Sequence, residues 1–183
     1  MKKHAAALFL AICLCSLFIS CREMLEEDTM PLPPGQFWAQ TTTDNSFYAV
    51  AADLLASGTY CDVYVTKDQQ GSVTLSKAQA VADEFDDNIF GLVSSSFGPP
   101  SDVDGNGKII ILLLDIIDGY TGSGSYSAGY FQAMHSLTGL LYPHSNHADM
   151  IFMDTNPGIV GSSTFNMTLA HEFQHLVNFN QTY

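Results

Sequence analysis

Apolar positions along the chain fall into runs of different period, punctuated by Gly, Pro and Ser. Ser46 to Ala56 carries Phe47, Val50, Ala51, Leu54 and Leu55 at helical spacing, and Ser57-Gly58 ends it, which predicts a helix. Tyr60 to Thr66 alternates, with Cys61, Val63 and Val65 on one face, which predicts a strand. Ser76 to Val93 puts Ala80, Val81, Phe85, Ile89 and Leu92 on one stripe, with Asp83, Glu84, Asp86 and Asp87 largely outside it, and so predicts a longer amphipathic helix. Gly98-Pro99-Pro100 stops the chain. Asp102 to Gly107 reads as a turn feeding Lys108 to Ile117, a nearly continuous Ile and Leu run that suits a strand buried on both faces of a sheet. Residues 118–129 are rich in Gly, Ser and Tyr and predict a loop, Asp149 to Asp154 predicts a second short buried strand, and a last helix starts near Ser163 or Thr164, either of which can cap it. No internal repeat is visible.

The N-terminal part reads differently. Met1-Lys2-Lys3-His4 is a short basic start, and Ala5 to Ser20 is a run of 16 uncharged residues. That run is shorter than the roughly 20 apolar residues a membrane-spanning helix needs, and it has the form of a secretion signal. Leu17-Phe18-Ile19-Ser20-Cys21 resembles the lipobox of bacterial lipoproteins, with Phe18 where Leu is usual. The resemblance implies that Cys21 becomes the lipidated first residue and holds the exported protein on the bacterial cell membrane or outer membrane. An ordinary signal peptide cleaved nearby is the alternative. Residues 22–45 are polar and contain Pro31, Pro33, Pro34 and Gly35, which predicts a tether from 21 to 45 ahead of a domain at 46–183. Cys13 and Cys15 leave with the leader, so Cys61 stands alone as an expected buried core thiol.

Charge narrows the partners. Apolar residues make up 46% of the chain and charged residues 14%, as in a globular domain. All 19 acidic residues follow the leader, against four basic ones there (Arg22, Lys67, Lys77, Lys108), an excess of fifteen negative charges. Such a balance excludes nucleic acid, whose phosphates require Lys and Arg, and docking on anionic lipid through a basic patch. It is compatible with metal cations.

His171-Glu172-Phe173-Gln174-His175 is an H-E-x-x-H sequence. On a helix, residues four apart lie one turn above each other, so His171 and His175 can direct two imidazoles at one ion. Zinc accepts such nitrogens at about 2.0–2.1 Å and leaves positions open for water. Glu172, beside the first ligand, can serve that water as general base. The flanking Met167, Leu169, Ala170, Leu176 and Val177 are apolar. Two histidines and a glutamate satisfied by hydrogen bonds in a core are the alternative.

Thr168 to Leu176 is similar to the active-site helix of neutral zinc metallopeptidases of the hyicolysin type (peptidase family M30). The resemblance extends, in the same order, over Ala82 to Ile89, Phe97-Gly98, Asp102 to Ile109, Ile111 to Ile116, Gly129-Tyr130-Phe131 and Asp149 to Asp154, and so covers roughly residues 46–180. It implies an α+β, zincin-like fold in which the active-site helix runs over a twisted mixed sheet. It also implies His171 and His175 as ligands of Zn²⁺, Glu172 as catalytic base, and a polypeptide substrate. Peptidases of this kind take a third ligand from downstream of the helix, yet no Glu, Asp or His follows His175. The expectation is a chain that lacks the family's C-terminal subdomain, or one in which another residue substitutes. His147 and Asp149 are candidates for that role, although a polar loop before a strand is the simpler reading of them. The rival function is a non-catalytic surface or periplasmic lipoprotein, either a degenerate peptidase remnant or a binding module.

Two further patterns carry less. Asp102-Val103-Asp104-Gly105-Asn106-Gly107 resembles the start of a calcium loop, but an EF-hand requires Glu at the twelfth position, where Leu113 stands; a tight turn is the simpler reading. The serines between Ser123 and Ser127 do not form G-x-S-x-G, so no nucleophile elbow is expected. His135, isolated in sequence, reads as a surface or core residue.

Overall fold

A computed structural model describes residues 32–137 and 141–182. The leader, the lipobox with Cys21 and the first part of the expected tether lie outside the described residues. From Leu32 onward the chain builds six strands in one mixed sheet, with helices on one face. The strands are β1 (Gln36–Gln40), β2 (Phe47–Ser57), β3 (Cys61–Thr66), β4 (Ile109–Leu114), β5 (Gly129–Tyr130) and β6 (Met150–Asp154). Their order across the sheet is β1-β2-β3-β4-β6-β5. The β3–β4 and β4–β6 pairs are parallel and the remaining pairs antiparallel. The helices are α1 (Leu75–Glu84), a π segment (Phe85–Ile89), α2 (Phe90–Phe97) and α3 (Ser163–Thr182). Among the described residues no helix is long and apolar enough to cross a membrane.

The centre is the expected Ile/Leu strand. All six residues of β4 are buried. Ile109, Ile111 and Leu113 enter the core beneath the helices, while Ile110, Leu112 and Leu114 enter a second core on the opposite face. Strand β6 divides in the same way, Ile151 and Met153 against Met150 and Phe152. Cys61, Val63 and Val65 of β3 face the helical core as their alternation predicts, and burial pushes the Cys61 thiol up to about 12, which makes it inert.

Ser46 to Ala56, expected as a helix, is strand β2. Tyr48, Val50 and Ala52 share one face until an irregularity between Leu54 and Ala56 inserts one residue, after which Ala56 faces the helical core opposite Val63. That phase change spaces the apolar positions as a helix would. Residues 36–40, expected as tether, form β1, with Phe37 and Ala39 buried. The turn between β1 and β2 is held by Asp44, whose carboxylate accepts from Thr41 and Ser46 and is thereby held down at about 2.

The outer edge of β1 is satisfied by side chains from the far end of the sheet. Asn146 Oδ1 accepts from Trp38 N at 2.7 Å, Asn146 Nδ2 donates to Trp38 O at 2.8 Å, and Tyr130 Oη accepts from Gln40 N at 3.0 Å. The sheet therefore curls over its second core, and a strand edge that would invite aggregation is covered.

The predicted amphipathic helix is present but interrupted. Val81, Phe85, Ile89 and Val93 are buried at intervals of four, and the wider π turn keeps such a stack on one side. Ala80 and Leu92, expected on the stripe, are exposed. Asp86 of the π segment accepts from the backbone N–H groups of Thr59 and Tyr60, tying this helix to the β2–β3 turn.

His135 is a core residue, 1% exposed and packed on Phe152. Its Nδ1 accepts from Asn146 N at 3.2 Å, and its Nε2 has no partner. Burial lowers its pKa from 6.5 to about 4, so the fold holds the neutral ring. Its contribution is therefore intact above pH 6.5 and lost as pH falls toward about 4. The loss amounts to roughly 3 kcal/mol. His135→Asn keeps an acceptor for Asn146 N and removes the titration. Urea unfolding across this pH range is expected to show a shallower decline for the variant than for the parent chain; parallel curves would refute the assignment.

Candidate active site

Helix α3 starts at Ser163, as expected, but its cap is Ser162, one residue before the expected ones. Ser162 Oγ accepts from Phe165 N at 3.2 Å, and Ser162 O from Asn166 N at 2.9 Å. The helix is amphipathic: Phe165, Leu169, Phe173, Leu176 and Val177 are buried in the helical core. Phe173 packs edge-on to Phe85, with ring centroids 5.0 Å apart, and stacks on Phe90 at 5.6 Å. At the far end Asn180 and Gln181 donate to Pro99 O, fastening α3 to the end of α2. These contacts fix the rotation of the helix and hence what its other face presents.

That face presents His171 and His175, both exposed. Their rings are nearly perpendicular (84°), with centroids 4.5 Å apart, and the two Nε2 atoms converge to 3.0 Å. Two nitrogens bound to one tetrahedral zinc would sit about 3.3 Å apart, given bonds of 2.0–2.1 Å. Both rings stand on the exposed face rather than in the core, and their Nε2 atoms lie close enough for one ion to reach both. A neutral imidazole nitrogen is also the right donor chemistry for zinc.

Glu172 lies between them in sequence but on the sheet side of the helix, 9% exposed. Its Oε2 accepts from Phe131 N at 3.0 Å, one residue beyond β5. Strand β5 can run this close to α3 because Gly129 has no side chain. A Cβ there would meet Met153 Sδ at 2.9 Å, Phe152 O at 3.0 Å and Thr168 Cγ2 at 3.1 Å. Gly129 and Phe131 belong to the resemblance noted above, but their role is a matter of backbone approach, and a side-chain pattern does not announce it.

The connection into α3 is organised by Asp154, fully buried at the end of β6. It accepts from Ile116 N at 3.1 Å, Asn156 N at 2.9 Å and Gly158 N at 3.0 Å. Despite these donors burial keeps its pKa above the usual carboxylate value.

His147 and Asp149 do not join the histidine pair. His147 is exposed, with a left-handed backbone (φ 52°). Asp149, 1% exposed, points to the 101–104 segment, accepting from Ser101 Oγ and from Val103 N at 2.6 Å. There it meets Asp102 and Asp104, with carboxylate oxygens within 4.8 Å of one another. The 102–107 segment is itself the expected turn: Asp102 accepts from Gly107 N at 2.9 Å, Asn106 from Lys108 N at 2.6 Å, and Gly105 and Gly107 have φ of 73° and 71°. Sequence spacing did not foretell Asp149 at this turn, because it arrives from the neighbouring strand. Among the described residues this carboxylate trio is the one place where three His, Cys, Asp or Glu ligand atoms gather, so none of them gives His171 and His175 a third ligand.

No protein-family model matches the chain. Over 140 residues, 72% of its length, the chain is 41% identical to the neutral metalloprotease ShpI of Staphylococcus hyicus. The match spans 30% of that relative's length. Across the matched stretch, therefore, this is an M30-like metallopeptidase sequence of the hyicolysin type, on the α+β fold that the resemblance implies.

Proposed function

We propose that this chain carries the metal-binding helix of a zinc-dependent peptidase, with His171 and His175 as ligands and Glu172 as general base. The observation that carries the reading is the 3.0 Å convergence of the two Nε2 atoms on the open face of α3, one turn apart. Zn²⁺, when bound, supplies Lewis acidity and lowers the pKa of water. The chain's own residues supply the rest. The buried face of α3 fixes the direction of both imidazoles, and Phe131 N–H holds the Glu172 carboxylate by one oxygen, leaving the other to take a proton. The resemblance to a neutral metalloprotease supports a polypeptide as substrate.

The rival reading, a domain that binds without catalysing, has one observation in its favour: the described residues add no third protein ligand to the pair. Catalytic zinc sites use three. The leader supports export and lipid anchoring through Cys21, which would place the domain on a bacterial membrane.

Three measurements test this. Purified Cys21–Tyr183, dialysed against metal-free buffer, is expected to retain one zinc per chain, and His171→Ala to lose it; a parent chain free of zinc overturns the metal site. Glu172→Gln can still accept from Phe131 N through its amide oxygen, so it is expected to keep the fold and the zinc while peptide hydrolysis drops by about 10²–10⁴-fold. Zinc binding with no hydrolysis by the parent would favour the non-catalytic reading. In a bacterial host grown with labelled palmitate, the chain is expected to carry the label and fractionate with membranes, and Cys21→Ser to lose both; a labelled serine variant would exclude Cys21 as the attachment site.

A further inference from the structure

The edge of β1 is closed by three groups in series whose hydrogen-bonding roles are forced. Trp38 N–H is a donor, so the atom facing it at 2.7 Å is Asn146 Oδ1; Trp38 O is an acceptor, so the atom facing it at 2.8 Å is Asn146 Nδ2. The Asn146 amide therefore has one orientation. Its Nδ2 and its own backbone N–H both point at His135 Nδ1, from 3.1 and 3.2 Å. Two donors aimed at one nitrogen require a lone pair there, so the ring is neutral and carries its proton on Nε2.

A proton on Nδ1 would set three N–H groups against one another with no acceptor between them. Turning the ring gives no relief, because an imidazolium carries a proton on both nitrogens. Turning the Asn146 amide gives none either, because Trp38 requires both of its ends as they are. Asn146 has to withdraw, and its two bonds to Trp38 go with it. The titratable groups around His135 do not hold such a proton. Tyr130 of β5 stacks on Phe152, the ring on which His135 packs, and its Oη accepts from Gln40 N. Asp149 and Asp154, at the two ends of β6, are engaged by the 101–103 segment and by the connection into α3. Strands β1 and β4 contain no titratable residue. Within its own segment His144 stacks on Phe47 and stands edge-on to Trp38, and His147 is exposed. Burial is accordingly the one cause that lowers the pKa of His135.

The other bonds of this region do not use the imidazole. Ser145 Oγ donates to Leu137 O at 2.7 Å, Ala148 N to His135 O at 2.9 Å, and Gln40 N to Tyr130 Oη at 3.0 Å. The response is therefore local. We propose that Asn146 is a proton-sensitive latch on the edge of β1, shut while His135 is neutral and released when its Nδ1 takes a proton. Release leaves the N–H and C=O of Trp38 open on a strand edge, the form in which one strand pairs with another. With the ring at about 4 in the closed latch and at its ordinary 6.5 once released, closure is strongest above pH 6.5 and weakens as pH falls toward about 4.

Amide hydrogen exchange of Cys21–Tyr183, followed by NMR, tests this. Corrected for intrinsic exchange, protection of Trp38 N–H is expected to fall about tenfold or more between pH 7 and pH 5. At pH 5 it is expected to exchange faster than Leu112, at the centre of β4, and to respond less to low urea, as a local opening does. In His135→Asn, whose amide oxygen accepts from Asn146 N at every pH, the fall is expected to shrink to about twofold or less. Should that variant misfold, Asn146→Ala removes the latch itself, and its Trp38 amide is expected to exchange fast at pH 7 with no further acid step. Independently of any variant, the ¹⁵N spectrum of the parent is expected to place the His135 proton on Nε2 at pH 7. A proton on Nδ1 at pH 7, a single rate and urea response shared by Trp38 and Leu112 at pH 5, an undiminished fall in His135→Asn, or an acid step surviving in Asn146→Ala would overturn the proposal.

Discussion

The structure depends on one strand that cannot face water on either side. Ile109 to Leu114 presents three branched aliphatic side chains to each face of the sheet, and burying such a side chain is worth about 1.5–3 kcal/mol. Both faces therefore need covers, and the chain provides them by different means. On one face the helices α1, α2 and α3 close over Ile109, Ile111 and Leu113. On the other the sheet curls, so that Phe37 and Ala39 of β1 cover Ile110, Leu112 and Leu114. The hydrogen bonds from Asn146 and Tyr130 to β1 are a consequence of that curl.

The histidine pair follows from the same constraint. Helix α3 places five apolar residues on the sheet, and Phe173 is gripped between Phe85 and Phe90. With the helix rotated to bury those residues, residues 171 and 175 must emerge on the far side, one turn apart and converging. Glu172 falls at the margin, turned inward far enough to reach the backbone beyond β5. A glycine at position 129 sets how near that backbone comes. The candidate chemistry thus stands on the outer surface of an element whose inner surface is core.

Where reading and structure diverge, the cause is local. In β2 one inserted residue changes the strand's phase and gives its apolar positions a helical spacing, so period alone misassigns it. In the 75–97 helix a π turn shifts the buried stripe from Leu92 to Val93, a difference of one position that a regular 3.6-residue repeat does not contain. Residues 36–40 look like tether because their neighbours are polar and proline-rich, yet Phe37 and Ala39 find a core only once the sheet has curled.

What the sequence by itself determined is whatever depends on neighbours along the chain. The doubly buried strand, the alternation of β3, the turn at 102–107, the helix carrying His171, Glu172 and His175, and the kinship with hyicolysin-type peptidases were all legible there, because period and motif spacing are local quantities. Only the tertiary structure decided which residues distant in sequence meet. It gave Glu172 the amide of Phe131 as partner, sent Asp149 to the turn at Asp102 and Asp104 instead of to the histidines, buried His135 on Phe152, and set Asn146 between that ring and the edge of β1. Each of these contacts is set by strand order and by the curl of the sheet. Those arise from covering both faces of β4 at once, a requirement of the whole chain that no short segment expresses.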